Sequence, residues 1–140
     1  MPSNVVFLDT QGWIAILNSR DRLHALANAE WKRLGDVGYS VLLTDWIVAE
    51  TGNGLARTNA RKRFAELATA ILAESRTRLL YVTPELLARA LILYEQRADK
   101  TWGLVDCVSF IVMQDASVTE AFTNDEHFTQ AGFKCLLPKP

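Results

Sequence analysis

The sequence predicts an α/β fold, a three-layer α/β/α sandwich around a central, mostly parallel sheet. Three observations carry this. Short apolar runs alternate along the chain with longer stretches of helical spacing. The first run, Val5-Val6-Phe7-Leu8, is apolar without alternation, as in a strand buried on both faces. Asp9, Glu50, Asp106 and Asp125 stand where the carboxyl ends of such strands, or the first turns of the helices after them, would gather them at one edge of the sheet.

The elements follow in order. Val5–Leu8 is the first strand, and Trp13–Asn18 a short helical turn. Asp21 is placed to cap a helix through about Arg33, with Leu23, Leu26, Ala27, Glu30 and Leu34 at helical spacing and Gly35 and Gly38 ending it. Tyr39–Leu43 is the second strand. Thr44 or Asp45 caps the helix of Trp46, Ile47, Val48 and Glu50, which Gly52 and Gly54 weaken and are expected to bend. A basic amphipathic helix spans about Asn59–Glu74, and Arg78–Val82 is the third strand. Thr83-Pro84-Glu85 combines a cap, a proline at the first helical position and an acid at the positive end of the dipole, so a helix runs from there to about Ala98. After a loop from Asp99 to Gly103, a helix covers Leu104 or Val105 to Gln114. Glu120–Phe122 is a short strand, and Lys134–Leu137 a last edge strand.

Composition sets limits on function. The 140 residues, 49% of them hydrophobic, are read as one domain, 1–140, with a core of its own. A net charge of −1 means that any nucleic-acid contact uses a local basic patch and not the charge of the whole molecule. Cys107 and Cys135 have no CxxC spacing and are expected to be reduced thiols in a cytoplasmic protein, Cys107 inside a helix. Met1-Pro2-Ser3-Asn4 lacks the positive charge of a signal peptide, and no apolar run approaches the length of a membrane span.

The four acids carry the chemistry. Gathered carboxylates repel one another and resist desolvation unless a positive group neutralises them. A hard divalent cation with oxygen ligands, Mg²⁺ or Mn²⁺, suits that task, and phosphodiester hydrolysis is the chemistry such sites perform. Each acid also has a plainer reading: a turn residue for Asp9, a helix cap for Asp106 or Asp125. Glu50, on an otherwise apolar helix face, has no such alternative.

Four segments together resemble the PIN domain family, in particular the small VapC-type toxins of prokaryotes. They are Phe7-Leu8-Asp9-Thr10, Asp45-Trp46-Ile47-Val48-Ala49-Glu50-Thr51, Asp99–Phe110, and Phe122-Thr123-Asn124-Asp125-Glu126-His127-Phe128 with Ala131-Gly132-Phe133. The resemblance covers essentially the whole chain and implies a metal-dependent ribonuclease that attacks RNA in line with an activated water. It matches Asp9, Glu50, Asp106 and Asp125 to the family's metal-binding acids and Thr123 to a hydroxyl that supports the last of them. Asp99 is read as an acid behind the ligands or a loop cap, and His127 as a packed or hydrogen-bonded histidine. Gly103 stands where close relatives often carry serine, and Asn124 where an apolar residue is common. The resemblance also implies an antitoxin partner and a homodimer.

Arg57, Arg61, Lys62 and Arg63 are the candidate contacts to RNA phosphates, with a solvated helix face as the plain alternative. Trp13, Trp46 and Trp102 each lie four residues from a site acid, and core packing or a dimer interface is expected of them before base stacking. Other classes fit less well. A phosphoacceptor receiver would need an acid pair after the first strand and leaves Glu50 without a place. An Asp-x-Asp phosphatase fails at Gln11. A free-standing RNA-processing nuclease, or a PIN-fold RNA- or protein-binding module without cleavage, is the remaining alternative. The latter would keep an acidic cluster that only destabilises it.

Overall fold

The computed structural model describes residues 4–139; the leader reading of Met1-Pro2-Ser3 and the terminal Pro140 lie outside them. Among the described residues, the strands are β1 (Val5–Leu8), β2 (Ser40–Thr44), β3 (Thr77–Leu80), β4 (Glu120–Phe122) and β5 (Lys134–Cys135). They form one sheet in the order β3-β2-β1-β4-β5, and every pairing is parallel. The central β1 has Phe7 between Leu42 and Ala121, and Val6, Phe7 and Leu8 are fully buried. That is why its run is apolar without alternation.

The helices are α1 (Thr10–Leu17), α2 (His24–Asp36), α3 (Asp45–Leu55), α4 (Arg61–Ala73), α5 (Pro84–Gln96), α6 (Leu104–Asp115) and α7 (Glu126–Gln130). Right-handed crossovers decide their layers. The chain steps outward from β1 to β2 and β3, which places α1 to α4 on one face. It then returns past β1 to β4 and β5, which places α5 to α7 on the other. The helix packing agrees: α1 lies against α2 and α3, α3 against α4, and separately α5 against α6 and α6 against α7. The reversal leaves the carboxyl ends of β1 and β4 side by side at the switch in strand order, where α/β sheets open a crevice.

Aromatic side chains fill both layers. Phe110 meets Phe128 edge-on at 5.0 Å and Trp102 at 4.9 Å in one layer, while in the other Trp13 meets Phe64 at 5.3 Å. Trp13 and Trp102 are therefore core residues, and Trp46 is half-buried.

Several element limits differ from those the sequence suggests, each for a local reason. Helix α1 begins at Thr10 and not Trp13, because the turn starts directly at Asp9, whose carbonyl accepts the Gly12 and Trp13 N–H groups. Asp21 does not cap α2: its carboxylate accepts the Leu23 N–H inside the preceding turn, and the helix starts at His24 and runs through Gly35 to Asp36. Helix α4 starts at Arg61 because Thr58 folds the chain before it, accepting the Ala60 N–H on its side chain. Strand β3 ends at Leu80, since the Val82 N–H turns to the Asp45 carboxylate at 2.9 Å and the chain leaves for the Thr83 cap. Strand β5 is only two residues long.

Candidate metal centre

Each site acid reaches the crevice from a different element. Asp9 follows β1 and occupies the cap position of α1, yet its side chain does not cap that helix. It accepts instead from the buried Thr123 hydroxyl, Oγ1 to Oδ2 at 2.7 Å. Thr123 follows β4, so this bond ties the ends of the two strands together. The same hydroxyl oxygen accepts the Asp125 backbone N–H at 3.1 Å. The sequence reading had assigned Thr123 to the last acid; it serves the first by its proton and the last by its lone pair.

Asp125 caps α7, with Oδ1 accepting the His127 backbone N–H at 2.9 Å. Asp106 is not the cap of α6. That position is Gly103, and Asp106 sits a turn inside and reaches back, its Oδ2 accepting the Gly103 N–H at 3.0 Å. A Cβ at position 103 would lie 3.9 Å from that oxygen, so a serine there would be accommodated. Glu50 is exposed, not on the buried apolar side of α3, and its Oε1 accepts from Thr10 Oγ1 at 2.7 Å. Thr51 Oγ1 lies 3.1 Å behind Thr10, and the two threonines join α1 to α3 at the rim.

All four acids line one open cleft of about 380 Å³ together with Thr10, Thr101, Gly103 and His127. Within each carboxylate, one oxygen is tied by the bond just described. The other accepts no well-aligned hydrogen bond from a described residue. The donor set is therefore hard oxygen on four residues that line one cleft, which suits Mg²⁺ or Mn²⁺. Closest together are Asp106, Asp125 and His127, which present ligand atoms within 4.8 Å of one another.

The electrostatics reflect the crowding. Burial pushes the Asp9 carboxyl up from 3.8 to about 7; the Thr123 hydroxyl opposes this, Asp106 and Asp125 add to it, and the Thr10 N–H dipole opposes it slightly. Asp106 is also raised, first by burial and then by Asp125, against the Gly103 and His127 donors. Neutralisation by a cation would reverse both effects.

His127 was expected to be packed or hydrogen-bonded, and it is hydrogen-bonded to the site itself. Its Nδ1 lies 2.9 Å from Asp106 Oδ2 and 3.5 Å from Asp125 Oδ1, and its Nε2 lies 3.1 Å from Thr101 Oγ1. The available signal was its position two residues after an acid that caps a short helix. Thr10 and Thr101 gave no signal at all. Asp99 stands apart: it pairs with Arg97 at 3.0 Å and Lys100 at 3.9 Å, and it does not line the cleft. Arg57, Arg61, Lys62 and Arg63 are exposed at the corner between α3 and α4, where Lys62 makes only a loose 3.8 Å pair with Glu66.

Comparison with known proteins agrees with this architecture. The model of the PIN domain matches residues 6–134. The chain is 29% identical over 135 residues to the 23S rRNA-specific endonuclease VapC20 of two Mycobacterium tuberculosis strains, covering 96% of this chain and all of the relative. The crystal structure of M. tuberculosis VapC20, described as a sarcin-ricin loop cleaving toxin, superposes with a TM-score of 0.82 at 28% identity, over 95% of this chain and 99% of that one. VapBC2 from Rickettsia felis, bound to a promoter DNA fragment, shares the fold with a TM-score of 0.67 at 12% identity, over 94% and 96% of the two chains.

Proposed function

This chain belongs to the PIN domain family, and from that premise we propose that it is a metal-dependent endoribonuclease, the toxin of a type II toxin–antitoxin pair. The observation that carries the reading is the single cleft that gathers Asp9, Glu50, Asp106 and Asp125, each with one carboxylate oxygen left free. Likeness to the 23S rRNA endonuclease over nearly the full length of both chains supports ribosomal RNA as the proposed substrate, with the sarcin–ricin hairpin as the first candidate.

The four acids would hold Mg²⁺ or Mn²⁺. When bound, the cation supplies a water of lowered pKa and offsets the charge that grows on the phosphodiester. The rest is done by the chain. Thr123 and Thr10 hold one oxygen each of Asp9 and Glu50, so that these carboxylates are fixed before a cation binds. Arg57, Arg61, Lys62 and Arg63 hold the flanking phosphates. Three of these cations lie in the first turn of α4, against its dipole and with no acid beside them there, a placement that a bound polyanion relieves.

A nuclease toxin directed at the ribosome of its own cell works in the cytoplasm and needs an inhibitor, so an antitoxin is the expected partner. Helix α5 buries only Ala90 outright and leaves Leu91, Ile92 and Tyr94 exposed, which suits it to a homodimer interface. No helix among the described residues is long and apolar enough to cross a membrane.

Purified protein should cut structured RNA, the sarcin–ricin hairpin included, in Mg²⁺ or Mn²⁺ and not in EDTA. Asp106→Asn should lower the rate roughly a hundredfold or more. Cation-independent cutting, or full activity in the variant, would remove the reading. Cation binding without cutting of any RNA would favour a binding module.

A further inference from the structure

The imidazole of His127 is held at both nitrogens. Nδ1 lies 2.9 Å from Asp106 Oδ2, and Nε2 lies 3.1 Å from Thr101 Oγ1. A neutral ring has one donor and one acceptor nitrogen. The carboxylate oxygen accepts, so Nδ1 carries the proton, and the Thr101 hydroxyl then donates to Nε2. The carboxylate contact alone fixes this tautomer, and the Thr101 hydroxyl rotates to donate to the remaining nitrogen.

The bond to Asp106 also has a direction. Oδ2 already accepts the Gly103 N–H at 3.0 Å, so both donors converge on the same oxygen. Donors at a single oxygen fix the rotation of the carboxylate and leave Oδ1 without a hydrogen-bond partner among the described residues. Gly103 and Thr101 belong to the loop between α5 and α6, while His127 belongs to α7. The arrangement therefore clamps Asp106 between two segments of the chain.

We propose that His127 is a positioning residue that orients Asp106 for cation binding, with Thr101 steadying the far side of its ring. This rests on the reading of the cleft as a cation site. In other metal centres, partners of this kind change affinity by about 10- to 100-fold when removed.

The test uses the full chain and Mn²⁺ or Mg²⁺ alone, by calorimetric titration, with ring ¹⁵N shifts recorded in EDTA. The shifts should show the proton on Nδ1 in the wild type and also in Thr101→Val, because the Asp106 carboxylate holds it there. His127→Ala should weaken Mn²⁺ and Mg²⁺ equally, about tenfold or more. His127→Asn, whose amide N–H takes the place of Nδ1, should stay within a few-fold of wild type; melting curves in EDTA check that both variants fold.

Unchanged affinity in His127→Ala, equal losses in the Asn and Ala variants, or a proton found on Nε2 would overturn the proposal. A loss confined to Mn²⁺ would do so too, because it would make the imidazole a ligand in its own right. Failure of the underlying reading shows elsewhere, as absence of cation binding by the wild-type protein.

Discussion

At the scale of single residues, Asp9 bears the cost of the site. It is nearly fully buried, and burial, helped by the neighbouring Asp106 and Asp125, outweighs the hydroxyl that Thr123 donates to it. Its carboxyl rises from 3.8 in the open chain to about 7 in the fold. Between those values the folded state binds a proton that the unfolded state has released, so stability falls as pH climbs through this window. Above pH 7 the full penalty applies, on the order of 4 kcal/mol for a shift of this size. Metal-free wild type should therefore melt higher at pH 5 than at pH 8. Asp9→Asn, whose amide oxygen still accepts from Thr123, should remove most of that difference and melt several degrees above wild type at pH 8, while losing cleavage. Thermal melts in EDTA at the two pH values check this, and a variant that melts below wild type at pH 8 would contradict it. Removing the hydroxyl tests the other side of the same contact. Thr123→Val leaves both Asp9 Oδ2 and the Asp125 N–H without a partner and should cost about 1–3 kcal/mol in chemical denaturation. The acids were legible in the sequence because a charge at the end of an apolar strand has few other reasons to be there. Their hydroxyl partners were not, since Thr10 and Thr101 are ordinary residues until the fold sets them 2.7 Å from Glu50 and 3.1 Å from His127.

At the scale of elements, the geometry of the site depends on how closely α1 crosses β4. Gly12 makes this possible: a Cβ there would lie 2.2 Å from the Phe122 carbonyl oxygen and 2.5 Å from its ring. Gly12→Ala should therefore force α1 away from β4, destabilise the fold by about 3 kcal/mol, and separate Asp9 from Thr123. Denaturation should report the first effect, and loss of cation affinity beyond what stability explains should report the second. Nothing in the sequence marks Gly12, because close approach of two segments distant along the chain leaves no local pattern. Elements with their own punctuation were legible: Thr83-Pro84 starts α5 where it was expected, with the Thr83 hydroxyl accepting the Leu86 N–H at 3.1 Å. Boundaries moved where a side chain was claimed by a turn, as with Asp21 and Thr58, or by a distant strand, as with Asp45. Composition offers the same residue to a cap and to a turn, and only the three-dimensional path decides between them.

At the scale of the whole molecule, a net charge of −1 and a cleft lined by acids together repel a polyanion. Substrate affinity must then come from a region where positive charge is concentrated. The proposed region is the corner between α3 and α4, where Arg57, Arg61, Lys62 and Arg63 are all exposed and, among the described residues, only one of the four is in an ion pair between side chains. Such contacts release counterions when RNA binds, so affinity falls as a power of salt concentration whose exponent counts the phosphates neutralised. Replacing Arg57, Arg61 and Arg63 by Gln should weaken binding of an RNA hairpin most at low salt and lower the slope of log affinity against log salt by about 2, at roughly 0.7 per charge for a single strand. The effect should fall on KM, with kcat nearly unchanged, because the corner positions the backbone and does not touch the reacting phosphate. A variant with wild-type slope would place the track elsewhere on the molecule. A variant with unchanged KM and reduced kcat would mean that these cations reach the reaction itself, and that the α3–α4 corner closes over the cleft when RNA is bound.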